Sequence, residues 1–533
     1  MGHAPALPPE TKEISMSNSA KNRFTKKAPL ALCGQLSIFL ALSLGIGVDP
    51  KALAATPTPL AGLDFLTQIT IPNWTTSGAT QASTDIWSFD PSTNTMYFAD
   101  RVNKGVNVID TSTNTYLGTL VVPGCDGTGS CPSGVLVAPD LHKLVVTDRG
   151  ITGPDLNHVF IYDLRILSAP PVQLTLPSGQ ATDELDYDPL NQRAYVANVT
   201  APYFLTVVDL VSDTIVDQIP LPSNPEQPRF NPVDGFVYQA IPDDGANAGA
   251  NSAVLRIDTT KTGAAAIVKT FVLGPSCLSR GIDIDPVTNT AMIGCGGTGA
   301  QVLMDLSGDM SELNSFPGVI GGTDTLQFNR NLRRWYTASS NNQNSGVQCP
   351  GNAQRPQTFP VVGVFAAATK NHPAEMVGAE CSGTNGHDIG VDPVHNQVYV
   401  GVRQLADPLS LSSGKPGVLV WQDPAPLAQP ELIAQSHVSL KPLAGKEATG
   451  KILILDSQFV LAFVVSLPSG DPTLIITTTI GNEVVNCETA GTDGICSGLL
   501  RGEALIGGVA FIASSGTPVA KGTIQGPHDG NDD

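Results

Sequence analysis

The sequence predicts an all-β protein: a seven-bladed β-propeller closed by an N-terminal strand, followed by a small C-terminal β domain. Two observations carry that expectation. Seven stretches share a short alternating strand, a turn of the type Asp/Asn-Pro-x-x-Asn and a second strand, degenerate in one copy. The 53 glycines and 42 prolines among 533 residues also point to many turns rather than long helices. The turn positions are Asp90, Ala138, Asp188, Asn231, Asp285, Asn329 and Asp392. Most recur at roughly 40–50 residues, the length of a four-stranded blade. The longest interval, Asn329 to Asp392, contains the insertion "NNQNSGVQCPGNAQRPQ".

The N-terminus reads as an address. "KNRFTKK" supplies a basic segment, "APLALCGQLSIFLALSLGIGV" an apolar one and "KALAATP" a small-residue cleavage signal. A signal peptide is therefore expected over residues 1–54, cut after Ala54, with Met16 as an alternative start. A membrane anchor is the competing reading of the same apolar run. Cys33 precedes most of that run and makes a poor lipidation site.

Residues 55–423 form the expected propeller. "DFLTQITIP", from Asp64 to Pro72, has the pattern of a fourth strand but precedes the first blade. The last blade, ending "GVLVWQDP", has no fourth strand of its own, so the N-terminal strand is expected to complete it. Closure removes a sheet edge that would invite aggregation. Each hairpin, such as "TDIWSFDPSTNTMYFADR" from Thr84, is followed by a third strand such as "VNVID". Several copies add a fourth, as in "YLGTLVVPG". Asp or Asn before Pro is turn chemistry, because the Asx side chain bonds the backbone ahead and proline presets φ.

The motifs "YVAN" at Tyr195 to Asn198 and "YFAD" at Tyr97 to Asp100, with "VIDTSTNTYLGTL" after the latter, resemble the YVTN-type propeller repeat. That family is similar to the lactonase-like and virginiamycin B lyase-like seven-bladed propellers. The resemblance covers about residues 64–423 and implies the fold. Such propellers include hydrolases, lyases and pure binding scaffolds, so it implies no single activity.

Beyond the propeller, residues 424–448 read as a proline-rich linker, 449–525 as a small β domain and 526–533 as an acidic tail. Eight cysteines follow the signal, an even number that suits disulfides in an exported chain. Cys125 pairs with Cys131 and Cys487 with Cys496 by proximity. Cys277, Cys295, Cys349 and Cys381 most simply pair in order. A net charge of -19 argues against nucleic acid, which needs clustered Lys and Arg. The address is secreted or extracytoplasmic, with no stable membrane span once the signal is removed.

Candidate chemistry sits where each innermost strand begins. Five residues before the aligned turn position stand Asp85, Ser133, Asp183, Glu226, Arg280, Asp324 and His387, all polar. Polar channel mouths also occur in propellers that do no chemistry. The sharper reading is a convergent ligand site. Asp85, Asp183, Glu226 and Asp324 would offer oxygens to a divalent cation such as Ca²⁺ or Mg²⁺. His387 would then move a proton, and Arg280 would hold a carboxylate or an oxyanion. Asp100, Arg101, Asp148, Arg149, Asn198 and Arg403 form a second set at the same face, better suited to inter-blade ion pairs. Asp388 should point away from the channel if His387 points toward it. No G-x-S-x-G and no Walker loop occurs. The expected function is binding of a small ligand, a divalent cation or both at the channel mouth, with metal-assisted hydrolysis or lysis as the catalytic form. The alternative is a non-catalytic extracellular scaffold that recognises proteins with the same face.

Overall fold

A computed structural model describes residues 62–425, except for short stretches in the connections between strands, and most of the strand backbone between 432 and 524. The expected signal peptide, Cys349 with its insertion, Cys487 and the acidic tail lie outside the described residues.

Seven antiparallel four-stranded sheets follow one another along the chain. Their innermost strands begin blades 1 to 7 at Thr84–Asp90, Val135–Ala138, Thr182–Asp188, Pro228–Phe230, Ser279–Asp285, Thr323–Asn329 and Gly390–Asp392. Each inner strand neighbours the next, and the last neighbours the first, so the sheets form a closed ring. The fold is a seven-bladed β-propeller. Its seventh blade is completed by Asp64–Ile69, which pairs antiparallel with Gly417–Gln422 as the sequence predicts. Phe65 packs edge-on against Trp421 there, with ring centroids 6.2 Å apart.

The hairpin turns work as their composition dictates. The Asx side chain accepts a backbone N–H two or three residues on: Ser92 to Asp90 at 2.9 Å, Asn191 to Asp188 at 3.1 Å, Val394 to Asp392 at 2.7 Å. Four residues past each turn position the backbone is left-handed, from Asn94 at φ 52° to Asn396 at φ 55°. Asparagine and glycine tolerate that region best, which explains the final Asn of the motif.

Apolar residues on the blade faces pack against the neighbouring blade. Tyr238 and Val254 of blade 4, for example, meet Ile282, Ile293 and Met304 of blade 5, all almost fully buried. Outer strands alternate between exposed and partly buried positions, as in Thr115–Val121. Among the described residues no helix is long and apolar enough to cross a membrane.

The C-terminal region forms a four-stranded and a five-stranded antiparallel sheet. The first begins at Leu432–Val438, which pairs with Ala448–Leu455. That strand lies inside the stretch 424–448 expected as a linker. Three of the prolines that suggested a linker (Pro424, Pro426, Pro430) precede it, the fourth, Pro442, ends the next strand, and the sequence from Leu432 can alternate as a strand. Of the expected disulfides, Cys125–Cys131 and Cys277–Cys295 are present. Cys381 is also disulfide-bonded.

Candidate functional site

The two faces of the ring differ. On the face of the Asx-Pro turns, the first and second strands of each blade are joined by tight turns, such as 91–94 and 393–396. On the opposite face, the connections between second and third strands include 148–157, 242–251, 340–360 and 406–416. The longest connections thus fall on one face, and in repeat proteins such a face is commonly the binding surface. The described disulfides lie on that same face. Cys131 stands two residues before Ser133, and Cys277–Cys295 ties the start of the blade 5 inner strand to the end of its second strand.

At this loop-rich mouth the seven predicted residues separate into groups. Ser133 donates to Asp183 Oδ1 at 2.7 Å and approaches Asp85 Oδ2 at 3.2 Å, linking blades 1, 2 and 3. Arg101 bonds Asp85 and reaches Ser133 at 3.3 Å. Arg149 pairs with Asp183 at 2.8 Å, from blade 2 to blade 3. Arg280 pairs with Asp324 at 2.6 Å, from blade 5 to blade 6, and that carboxylate holds its guanidinium above the ordinary range.

Three of the four carboxylates expected to share a cation are thus paired with arginines, and Glu226 is not. Asp85, Asp183 and Asp324 each face a guanidinium, and among the described residues no three His, Cys, Asp or Glu side chains gather as a metal site would require. Arg101 and Arg149 arrive from the ends of second strands, so the identities in the first ring alone could not show the pairing.

His387 stands apart. Its Nδ1 lies 2.9 Å from the Asn385 carbonyl and 3.4 Å from Asp388 Oδ1. Asp388 turns away into blade 1, fully buried, where it accepts from Thr84 Oγ1 at 2.9 Å and from the Trp87 indole N–H. Burial raises the Asp388 carboxyl above its usual range, partly offset by His387. The pair therefore includes one structural member that helps to close the ring.

The second set is mostly structural. Asp100 is fully buried and accepts from Trp74 at 2.8 Å and Asn107 at 2.7 Å. Asp148 faces His158 at 3.2 Å, Asn198 accepts from Thr206 at 2.5 Å, and Arg403 donates to the Ala82 carbonyl at 2.8 Å.

Glu226 is the ring member left without a cation of its own. Desolvation, then Asp324 and Asp183, push its carboxyl up to about 8, against the opposing pull of Arg280 and Arg149. Beside it is a residue the sequence reading passed over. Glu184 is only 5% exposed, its Oε2 has no hydrogen-bond partner, and burial with the neighbouring Glu226 charge raises it well above the carboxylate range. The register slips between Thr182 and Leu185, a bulge that breaks the two-residue alternation. A bulge re-aims side chains, so strict alternation could not place both Asp183 and Glu184.

These shifts predict a pH dependence. The folded protein binds the Glu226 proton more tightly than the unfolded chain does. The associated stability is complete below the ordinary carboxyl range and is lost as pH rises toward about 8. The melting temperature should therefore fall between about pH 5 and 8, and Glu226→Gln should flatten that fall. Equal slopes in both proteins would show that Glu226 is ionised throughout.

A cavity of about 420 Å³ opens at the turn end of the channel, with Trp87, Ser88, Tyr187, Arg229, Asp283 and Gln327 in its wall. Three residues past the mouth position, the same alignment would have found Ser88, Asp186, Arg229, Asp283 and Gln327. Their polar atoms already serve the frame. Ser88, Asp186, Asp283 and Gln327 accept the N–H of Val137, Phe230, Phe328 and Val391, each on the next blade, at 2.6–2.9 Å. Arg229 lies between Asp186 at 3.0 Å and Asp283 at 3.2 Å. These bonds satisfy inner-edge N–H groups of blades 2, 4, 6 and 7 that would otherwise be left unpaired.

No protein-family model matches the chain, and no curated protein matches it. Among solved structures, hydrazine synthase of Kuenenia stuttgartiensis is similar at 14% identity and TM-score 0.46, covering 63% of this chain and 94% of that one. A mitotic checkpoint complex chain is similar at 10% identity and TM-score 0.48, covering 71% of this chain and 97% of that one. At these values neither likeness adds to what the strand topology establishes.

Proposed function

We propose that this chain is an exported, YVTN-type propeller that binds a small polar ligand at the loop-rich mouth of its channel, without needing turnover. The observation that carries the reading is the charge arrangement there: three arginine–aspartate pairs contributed by blades 1, 2, 3, 5 and 6, with the Glu226 carboxyl unmatched. A polar frame that is already internally paired keeps its geometry before a ligand arrives, which lowers the cost of binding. Disulfides on the same face support both the preorganisation and an oxidising compartment. Binding is favoured over metal-assisted catalysis because Arg280 is committed to Asp324, and the aspartates to arginines.

The test is a thermal-shift screen of small polar metabolites against the protein and an Arg280→Ala/Asp324→Ala double variant, which removes one pair at constant net charge. Ligands that stabilise the first and not the second are expected. Hits that stabilise both equally would remove the mouth from consideration.

A further inference from the structure

The wall between blades 3 and 4, just inside the mouth, holds buried acceptors with nothing to accept. The position of Glu184, four residues before the turn, points at the next blade's inner strand all around the ring. Gly134 and Gly281 sit there with no room for a Cβ, which would come within 2.3 Å of the Asp183 carbonyl and 2.8 Å of the Leu326 nitrogen. Gln227 at this position accepts the backbone N–H of Ile282 in blade 5, at 2.9 Å. The residue equivalent to Ile282 in blade 4 is Pro228, which has no N–H to give. Glu184 is thereby deprived of the donor its counterpart receives, and its Oε2 is unpartnered.

A second orphan belongs to the residue across the sheet from Pro228. Gln239 is directly opposite Pro228 in the sheet and fully buried. Its Nε2 donates to the carbonyls of Glu226 at 2.6 Å and Ala240 at 3.0 Å, which fixes the amide orientation and leaves Oε1 without a partner. Glu226 itself borders the same place and is only partly exposed. The guanidiniums that face these glutamates are Arg229, Arg280 and Arg149, and each is already bonded to aspartate. The cluster is thus rich in acceptors and has no cation of its own.

We propose that Glu226, Glu184 Oε2 and Gln239 Oε1 form a subsite for the primary ammonium group of a small amine ligand. This rests on the mouth being the binding face and names what that face takes. An ammonium carries three donors and no acceptor, matching three oxygens that all accept once the two carboxyls have given up their protons. A hard metal ion would want six or more oxygens, and the described residues gather no such set. Binding places one positive charge beside two carboxyls and expels the protons they hold. Affinity should therefore rise with pH up to about 8, where Glu226 loses its proton unaided. Asp183 and Asp324 add to the negative field on both glutamates, while the three arginines named above oppose it.

The experiment is isothermal titration of the full chain with n-butylammonium and 1,4-diaminobutane, with CaCl₂ for comparison, in two buffers of different ionisation enthalpy at neutral pH. Saturable amine binding with proton release is expected. Glu226→Gln and Glu184→Gln should each weaken it by at least about tenfold, the size of one lost charge-assisted hydrogen bond. Pro228→Ala, which restores an N–H toward Glu184, should weaken it as well. A purely structural glutamate would leave amine affinity unchanged in all three variants, and that result would overturn the subsite. So would saturable calcium binding that the same variants abolish while amines bind nowhere. If amines fail but other ligands still depend on Arg280 and Asp324, the mouth stands and the ammonium assignment falls.

Discussion

Deleting residues 62–70 should abolish the monomeric, cooperatively folding propeller. The strand Asp64–Ile69 completes blade 7, with Asp64 opposite Gln422 and Ile69 opposite Val418. Its loss strips the outer of two hydrogen-bonding partners from Gly417–Gln422 and leaves a hydrophobic edge open to other chains. Leu63 and Ile69 are 7% and 5% exposed, so their removal alone costs about 3–6 kcal/mol of burial. A second tie across the seam, from Asp388 to Thr84 and Trp87, holds only the inner strands. Size-exclusion chromatography and thermal denaturation give the readout: association and a broadened, much earlier transition are expected. A monomer with the parent's melting temperature would mean that blade 7 is stable on three strands.

Asp423→Ala should lower stability by about 3–5 kcal/mol, the usual consequence of breaking one side of a buried ion pair. Both Asp423 oxygens lie 2.7 Å from Arg334 Nη1, and the two side chains are 0% and 7% exposed. Tyr336 donates a further hydrogen bond at 2.6 Å. Without the carboxylate, Arg334 keeps a buried charge and Tyr336 a buried hydroxyl with no acceptor. Asp423 follows directly on the last propeller strand, so this contact fastens the end of blade 7 to blade 6. Denaturant unfolding measures the loss. An Arg334→Met/Asp423→Leu double variant should recover much of it, because both charges leave together. A double variant no more stable than Asp423→Ala would assign the loss to packing instead.

The frame was legible because its signals are local. A turn declares itself within five residues, and the left-handed backbone at Asn94 or Asn396 needs nothing from the rest of the chain. The closing strand was legible through a count: one fourth strand too many at the start and one too few at the end. Site residues were legible as positions but not as partners. Asp183 could be placed at the mouth, whereas its pairing with Arg149 depends on a side chain reaching over from the preceding blade. Glu184 was missed because the reading assumed a period of two where a bulge interrupts it. Gln239 looked like an ordinary second-strand residue. Its unpaired oxygen is visible only once the donors around it have been assigned.

The pairing of Asp64–Ile69 with Gly417–Gln422 also fixes an order of events. The first strand of the propeller to be synthesised must wait for the last before it has a partner. Six blades can form from neighbouring segments as the chain lengthens, but the seventh joins segments separated by nearly the whole propeller sequence, the contact with the highest entropic cost to make. A chain interrupted anywhere before residue 417 would carry an unpartnered strand at one end and an open blade at the other. Synthesis through residue 422 is thus written into the geometry, and a product truncated before it is marked by two exposed edges that the closed ring does not have.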